Sequence, residues 1–194
     1  MKSNICVVEK GGLGLENILW EVEKVTKYNE MPEKEALRLR LLAEELVGML
    51  PELVNDFEGT FWLQNIDKEY ELHAEIAVGK LSKEKKESLI AISANKKNAA
   101  ATSFMGKIRD VAQNMLLFSE TPSDSDYLYD YDTSDVHYTY AWTLDYYKKQ
   151  QIERLPSDSD EWDELERSIV AKLADDVIVG VRGKKVEIII KKKF

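Results

Sequence analysis

The spacing of hydrophobic residues predicts a strand, two helices and a hairpin over the first half of the chain. Asn4 to Glu9 is a short apolar run that predicts a strand, and Leu15 to Tyr28 repeats apolar residues at helical spacing. Pro32 at a first helical position, with glutamates in the first turn, predicts a second helix to about Val54. Thr60 to Ile66 and Glu69 to Val78, separated by two turn residues, are predicted to form a β-hairpin.

The second half of the chain is predicted to contain four helices, two polar loops and a closing hairpin. The helices are predicted at Leu81 to Ser93, Phe104 to Phe118, Tyr138 to Gln151 and about Trp162 to Ala174, and the closing strands at Val177 to Val181 and Lys185 to Lys191. Loops are predicted at Asn95 to Ala101 and at the Ser-, Asp- and Tyr-rich segment from Ser119 to Asp135. This order predicts an α+β fold, a two-layer α/β sandwich with helices on one face of a mostly antiparallel, mixed sheet.

Composition restricts the class of protein further. The 194 residues carry 27 Lys and Arg against 36 Asp and Glu, and the net charge of −9 argues against nucleic-acid and anionic-membrane partners. The single cysteine, Cys6, excludes an internal disulfide, and with only two histidines it cannot complete a structural zinc site. The sequence has neither a signal-peptide pattern nor an apolar run of membrane-spanning length. We therefore expect one cytoplasmic domain, with no nucleic-acid or membrane partner and no metal-ligand set of its own.

The second helix carries the most informative candidate residue, Glu44. The apolar stripe of this helix, which should pack on the sheet, consists of Leu39, Leu42, Leu46, Met49, Leu50 and Leu53. Glu44 lies on the opposite side of the helical wheel. Its neighbours there are Leu37, Leu41 and Gly48. A carboxylate on such a half-apolar face can be partly desolvated and serve as a general base. The alternative is that Glu44 and Glu45 are two solvated helical glutamates.

Three stretches of the chain together carry a family resemblance. The first is the helical segment from Arg38 to Met49, with Glu44 near its middle. The second is the helix and hairpin pattern of Ser168 to Val179 followed by Gly183 to Lys191, and the third is the predicted hairpin from Thr60 to Val78. They resemble the helix with the catalytic glutamate, the closing helix and hairpin, and the middle strands of the GHKL ATPases. That superfamily groups DNA gyrase B, histidine kinases and the anti-sigma-factor serine kinases, and the closing elements are most similar to the last of these.

The resemblance implies a fold, a ligand and a site. It implies one GHKL-like domain over residues 1–194, with an insertion at about 81–160 that replaces or elaborates the nucleotide lid. The implied ligand is ATP with magnesium. Glu44 is the implied catalytic residue, and Glu44, Gly48, Val78 and Gly79 are the residues implied to line the nucleotide pocket.

The chain departs from the family at three motif positions. The asparagine that ligates magnesium is Gly48 here, and the aspartate that receives the adenine amino group is Val78, immediately before Gly79. A Gly-x-Gly pair before the closing helix is replaced by Glu164-Leu165-Glu166, whose carboxylates would repel phosphate. Each lost charge-assisted contact is worth about 1.5–3 kcal/mol. We therefore expect a regulatory protein of the ATP-binding type with weak or no catalysis.

Two other functions are open. The chain could be a non-catalytic protein-interaction module that kept the scaffold and lost nucleotide binding, with the acid- and tyrosine-rich segment from Asp124 to Tyr147 as its contact surface. It could also be an active kinase or ATPase in which other residues, for example from Asn95 to Asn98, replace the missing ligands. An active enzyme predicts turnover that Glu44→Ala abolishes. A non-catalytic nucleotide-binding protein predicts nucleotide affinity without turnover, and an interaction module predicts neither.

Smaller features have ordinary structural interpretations. Gly11-Gly12-Leu13-Gly14 lies between a strand and a helix, but no parallel strand follows, so a tight turn is favoured over a dinucleotide fingerprint. The aspartates from Asp124 to Asp135 match an EF-hand loop only in part, which favours a solvated acidic loop. His73 falls on the polar face of its strand and, like His137, has no catalytic partner in the sequence. Cys6 is expected to be buried.

Overall fold

The structure is a computed structural model that describes residues 1–9, 14–53, 57–78, 132–133, 136–137, 140–154, 168–182 and 185–194, together with positions 106, 108, 111, 112 and 115. The predictions for Gly79, Leu81 to Ser93, Asn95 to Ala101 and Glu164 to Glu166 lie outside these residues.

Strands and helices follow one another in the predicted order over the first 78 residues. The elements are β1 (Cys6–Glu9), α1 (Leu15–Tyr28), α2 (Glu33–Leu53), β2 (Phe57–Ile66), β3 (Glu69–Val78), β4 (Asp132–Thr133), β5 (Val136–His137), β6 (Tyr140–Thr143), α3 (Leu144–Arg154), α4 (Ile169–Leu173), β7 (Asp176–Arg182) and β8 (Lys185–Lys193). Asp67 and Lys68 have φ angles of 50° and 67°. Positive φ at both positions is what the two-residue turn of a hairpin requires, so the predicted β2–β3 hairpin is confirmed.

Six strands form one sheet in the order β1-β2-β3-β8-β7-β6, and every neighbouring pair is antiparallel. β4 and β5 pair separately as a two-stranded ribbon. The α+β prediction is therefore confirmed, although the described sheet is antiparallel throughout rather than mixed. The closing hairpin β7–β8 lies beside β3, so strands that are far apart in sequence meet at the centre of the sheet.

One face of the sheet, the inner face, packs against the helices. Its residues alternate with outward-pointing ones along each strand, as the period of two requires. The buried inner-face residues are Val8, Phe61, Leu63, Leu72, Ala74, Ile76, Val177, Val179, Val181, Val186, Ile188 and Ile190. The helices contribute Ile18, Val22, Val25, Leu39, Leu42, Ala43, Leu46, Val47, Met49 and Leu50 to the same core. The stripe predicted on α2 is therefore buried from Leu39 to Leu50, and Ala43 and Val47 widen it, while the side chain of Leu53 lies outside the described part of the structure.

A buried carboxylate joins the start of the chain to α1. Glu21 is 4% exposed and accepts hydrogen bonds from the backbone N–H of Asn4 at 3.2 Å and from its side-chain amide at 3.0 Å. Lys24 pairs with the same carboxylate at 2.9 Å. Burial opposes the charge on Glu21, but these contacts outweigh it and lower the pKa of Glu21. Because Asn4 donates to the helix, β1 begins at Cys6, two residues later than predicted.

The turn from β1 to α1 requires glycine at its last position. Gly14 has a φ of 103°, and a Cβ added there would lie 2.3 Å from the backbone oxygen of Val7. Both the dihedral angle and this close approach exclude a side chain. The tight-turn interpretation of the glycine run is thus confirmed at Gly14, while Gly11 to Leu13 lie outside the described residues.

The helix predicted from Tyr138 to Gln151 is wrong in its first half. Tyr140 to Thr143 form β6, which pairs with β7, and α3 begins only at Leu144. Tyr, Trp and Thr favour extended backbone, and pairing with β7 buries Ala141 and packs Trp142 against the core. Tertiary pairing therefore overrides the helical spacing of the aromatic residues.

The last helix begins later than predicted. Ser168 has extended backbone, and its side chain accepts a hydrogen bond from the N–H of Ala171 at 3.2 Å, which makes it the N-cap of α4. A helix cannot continue through an N-cap, so the prediction of one helix from Trp162 to Ala174 is wrong at Ser168. β2 begins earlier than predicted, at Phe57, with Gly59 inside the strand.

Part of the predicted insertion belongs to the main core and sheet. The described positions between 106 and 115 are helical, in agreement with the helix predicted from Phe104 to Phe118. Ile108, Ala112 and Met115 are buried in the core that α1, α2 and the sheet form. The loop predicted from Ser119 to Asp135 includes the short strand β4 near its end.

Candidate functional site

Helix α2 presents Glu44 and Gly48 away from its buried stripe, as the helical wheel predicts. The Glu44 side chain is 37% exposed, and Gly48 is exposed. Apart from the backbone of its own helix, no atom of the described residues would lie within 4 Å of a Cβ added at Gly48. Of the flanking leucines, Leu41 is half-buried and Leu37 is exposed. This part of α2, which we refer to as the Glu44 surface, offers an accessible carboxylate one helical turn before an exposed glycine.

Arg40 pairs with Glu44 across one helical turn. Nε of Arg40 donates to Oε1 of Glu44 at 3.0 Å, and the Arg40 side chain is about half exposed. Exposed pairs at this spacing contribute about 0.3–0.5 kcal/mol. The pKa of Glu23 on α1 is lowered by its hydrogen bond to Lys27 and, to a smaller extent, by the charge of Arg40. Arg40 is therefore within electrostatic reach of carboxylates on both helices.

The remaining predicted pocket residues are described only in part. Val78 is the last residue of β3 and pairs with Phe57 of β2, and α2 contacts β3. Gly79 and the Glu164 to Glu166 segment lie outside the described residues, as do Asn95 to Asn98. The structure therefore brings Glu44 and Gly48 together on one helix surface and places Val78 on a strand against which that helix packs.

The predicted partner segment from Asp124 to Tyr147 is described from β4 onward. Tyr146 is 40% exposed. Tyr147 is directed inward instead, with its ring centroid 5.7 Å from that of Trp142. Of these two tyrosines, Tyr146 is therefore exposed and Tyr147 is half-buried.

A charged group lies on the outer face of the sheet, on the side away from the helices. Nδ1 of His73 lies 2.9 Å from Oε1 of Glu187, and its Nε2 lies 3.3 Å from Oε2 of Glu71. Nζ of Lys191 lies 2.8 Å from the second oxygen of Glu71. We refer to Glu71, His73, Glu187 and Lys191 as the outer-face cluster. It joins the neighbouring strands β3 and β8.

The outer-face cluster is nearly enclosed. His73 is 8% exposed and Glu187 9%. The ring of Trp62 on β2 stacks on His73, with centroids 4.7 Å apart and planes 11° from parallel. The row of outward residues that contains His73 continues through Ile189 and Ile178, which are also buried although they do not belong to the main core. This half of the outer face is therefore largely buried, although the Glu71 and Lys191 side chains remain partly exposed.

The cluster shifts the pKa values of its members. Burial disfavours the charge on His73, but the hydrogen bonds to Glu187 and Glu71 outweigh it and raise the pKa of His73 above its ordinary value. The hydrogen bond from His73, supported by Lys191 and opposed by burial, lowers the pKa of Glu71 to about 2. A positive ring between two carboxylates is the charge state that these shifts favour.

The sequence predicts His73 to be an ordinary polar-face residue of its strand, whereas the structure places its ring in largely buried ion pairs that the sequence did not reveal. The β3–β8 register sets Glu75 directly opposite Glu187, and like charges at such positions repel. Each has a cation beside it, Lys185 at 2.7 Å from Glu75 and His73 at 2.9 Å from Glu187. The available signal was the charged or titratable residue at every second position from Glu69 to Glu75, together with Lys185, Glu187 and Lys191 in the other segment, but it has meaning only once the two strands are known to pair.

No helix in the described ranges is long and apolar enough to cross a membrane. Within the same part of the chain, no group of three or more His, Cys, Asp and Glu side chains is arranged to hold a metal ion. Comparison of the chain with protein-family models, with curated proteins and with solved structures returned no match in any of the three.

Proposed function

We propose that the chain is a regulatory domain resembling the GHKL ATPases, which binds an adenine nucleotide at the Glu44 surface with weak or no turnover. Three features support the proposal. Helix α2 packs its apolar stripe on the core and leaves Glu44 accessible. It also contacts β3, the strand that ends at Val78, and the closing hairpin lies beside that strand.

The observation that carries the proposal is the open space at Gly48, one helical turn after Glu44. The resemblance places a magnesium-binding asparagine at this position. Among the described residues, a Cβ added here would meet no atom within 4 Å apart from the helix's own backbone, so α2 leaves room for the start of such a side chain. A surface that could hold this metal ligand but lacks it supports the proposal of binding without efficient catalysis.

The test restores the missing side chain. Gly48→Asn adds an amide oxygen into open space, and Gly48→Ala is the matched control, since it adds a Cβ without a metal ligand. The melting temperature of each protein is measured with and without millimolar ATP, in the presence of magnesium or of EDTA. A ligand at a hundred times its dissociation constant adds about 2.7 kcal/mol, which for a chain of this size is roughly 5–10 °C.

We expect a small shift with ATP for the wild type and Gly48→Ala, and a larger, magnesium-dependent shift for Gly48→Asn. Any hydrolysis by Gly48→Asn should disappear when Glu44 is also changed to Gln. The proposal fails if neither the wild type nor Gly48→Asn responds to ATP under any of these conditions.

A second candidate function is that of a protein-interaction module without a nucleotide. The observation that favours it is a group of exposed apolar residues on the outward side of β1 and β2. Ile5, Val7 and Ile66 are 57–60% exposed. Exposed apolar groups of this kind mark contact surfaces when they are contiguous. The double variant Ile5→Ser, Val7→Ser should then weaken self-association measured by sedimentation velocity, with no effect on the ATP-induced shift; unchanged sedimentation would exclude contact between copies through this surface.

A further inference from the structure

The position of His73 restricts the protonation state of its ring. Both ring nitrogens lie within hydrogen-bond range of carboxylate oxygens, Nδ1 at 2.9 Å from Glu187 and Nε2 at 3.3 Å from Glu71. A neutral imidazole has one donor nitrogen and one acceptor nitrogen. The acceptor nitrogen would face a carboxylate, which is itself an acceptor. Only the doubly protonated ring satisfies both contacts.

The charges around His73 balance when its ring is protonated. From β3 it faces Glu71, with Glu75 further along the strand, and from β8 it faces Glu187. Lys191 pairs with Glu71 at 2.8 Å, and Lys185 pairs with Glu75 at 2.7 Å. The four residues of the outer-face cluster then sum to zero. Without the ring proton, the same four residues carry a net charge of −1 at a largely buried position, which a low-dielectric environment penalises.

Trp62 extends the cluster to β2. Its ring stacks on His73 at 4.7 Å between centroids, and the ammonium of Lys2 lies 4.7 Å from the same ring. Cations over the face of an indole are attracted by its quadrupole, so the stack is stronger with a protonated histidine than with a neutral one. The charge on His73 therefore contributes to contacts with three consecutive strands, β2, β3 and β8.

We propose that His73 is a pH-sensitive link between neighbouring strands on the outer face of the sheet. With both nitrogens protonated, it holds β3 to β8 through Glu187, keeps Glu71 of its own strand in place beside Lys191 of β8, and holds Trp62 of β2 against its ring. Loss of one proton breaks one of the two hydrogen bonds and weakens the stack. The centre of the sheet then loosens as the pH rises, while the core on the inner face stays packed.

The direction of the pH effect follows from linkage. A histidine whose pKa is raised in the folded state binds more protons folded than unfolded over the interval between the two values. Its contribution to stability is complete below the unfolded value of about 6.5. It is lost as the pH rises through the folded value. His73 therefore links the strands below about pH 6.5, as long as its carboxylate partners are ionised, and the link weakens as the pH rises through the raised pKa of His73.

The test uses the fact that the chain has only two histidines, His73 and His137. The Cε1–H resonances of the full chain are followed by NMR from pH 5 to 9, and His137→Gln assigns them. We expect His73 to titrate with a midpoint above about 6.5. Glu187→Gln keeps the shape of its side chain but removes the charge, so it should lower that midpoint. The matched control is Glu75→Gln on the same face, which should change it much less.

A second measurement connects the proton to the sheet. The difference in melting temperature between the wild type and Glu187→Gln should decrease across the pH interval in which His73 titrates. The fluorescence of Trp62, measured as the difference from Trp62→Phe, should change over the same interval. A His73 midpoint at or below about 6.5 overturns the proposal. So does a melting-temperature difference that is independent of pH. Neither outcome depends on nucleotide binding at the Glu44 surface.

Discussion

Two ionic clusters of this protein have similar residue types and different surroundings. On α2, Arg40 and Glu44 are one turn apart on an exposed helix, with side chains 52% and 37% exposed. On the outer face of the sheet, His73 and Glu187 are 114 residues apart in sequence, and each side chain is 11% exposed. The helix pair is available to a ligand, while the sheet pair is part of the structure. Charge and residue type do not separate these two roles, but burial does.

The largest expected difference between the clusters is the effect of removing one carboxylate. Glu187→Ala leaves the buried ring of His73 with one of its two anionic partners, and breaking a buried pair costs about 3–5 kcal/mol. Glu75→Ala is the control on the same face, because its partner Lys185 is half exposed, and it should cost about 1 kcal/mol or less. Urea unfolding of the three proteins measures both values. Equal losses for the two variants would mean that the outer-face cluster is solvated.

Much of the first cluster could be predicted from the sequence because it is local. The spacing of leucines along α2 determines which side is buried, so the place of Glu44 and Gly48 on the other side follows from helix geometry alone. The same holds for the β2–β3 hairpin, where two turn residues determine the pairing. In local patterns of this kind, both residues of each contact lie within the same short stretch of sequence.

The second cluster could not be predicted because its contacts are distant in sequence. His73 is adjacent to Glu187 only because β8 pairs with β3, and no periodicity within either strand specifies that pairing. The same limitation explains the error at Tyr140 to Thr143, which form a strand because β7 lies beside them. Whether an outward residue is solvated also depends on what else covers that face, as Ile178 demonstrates by being fully buried.

A fall in pH should remove part of the stability that the outer-face cluster contributes. The pKa of Glu71 is lowered from 4.5 to about 2 in the folded state. A lowered carboxylate pKa contributes stability that is complete above the unfolded value and is lost as the pH falls through the folded value, here between about 4.5 and 2, with a magnitude of about 3 kcal/mol. The free energy of unfolding of the wild type minus that of Glu71→Gln should therefore decrease over this interval. A difference that stays constant with pH would contradict the assignment of this shift to Glu71.

Two glycines provide a smaller contrast of the same kind, one enclosed and one open. Gly14→Ala places a Cβ 2.3 Å from the Val7 oxygen at a φ of 103°, and such strain costs about 1–3 kcal/mol. Gly48→Ala adds a methyl group to open space in a helix, which should stabilise the chain by up to about 1 kcal/mol. Thermal unfolding should therefore move in opposite directions for the two variants. Destabilisation by Gly48→Ala would show that another group occupies the space beside Gly48.

The smallest effect is expected at the Arg40–Glu44 pair itself. Arg40→Gln and Glu44→Gln should each change the free energy of unfolding by about 0.5 kcal/mol or less, and the coupling from the double-mutant cycle should shrink at high salt. A coupling above about 1 kcal/mol would instead assign the pair a structural role. A weak coupling matters for the proposed function, because Glu44 can then be changed without loss of the fold. Any effect of Glu44→Gln on nucleotide binding or turnover would in that case come from the ligand and not from the stability of α2.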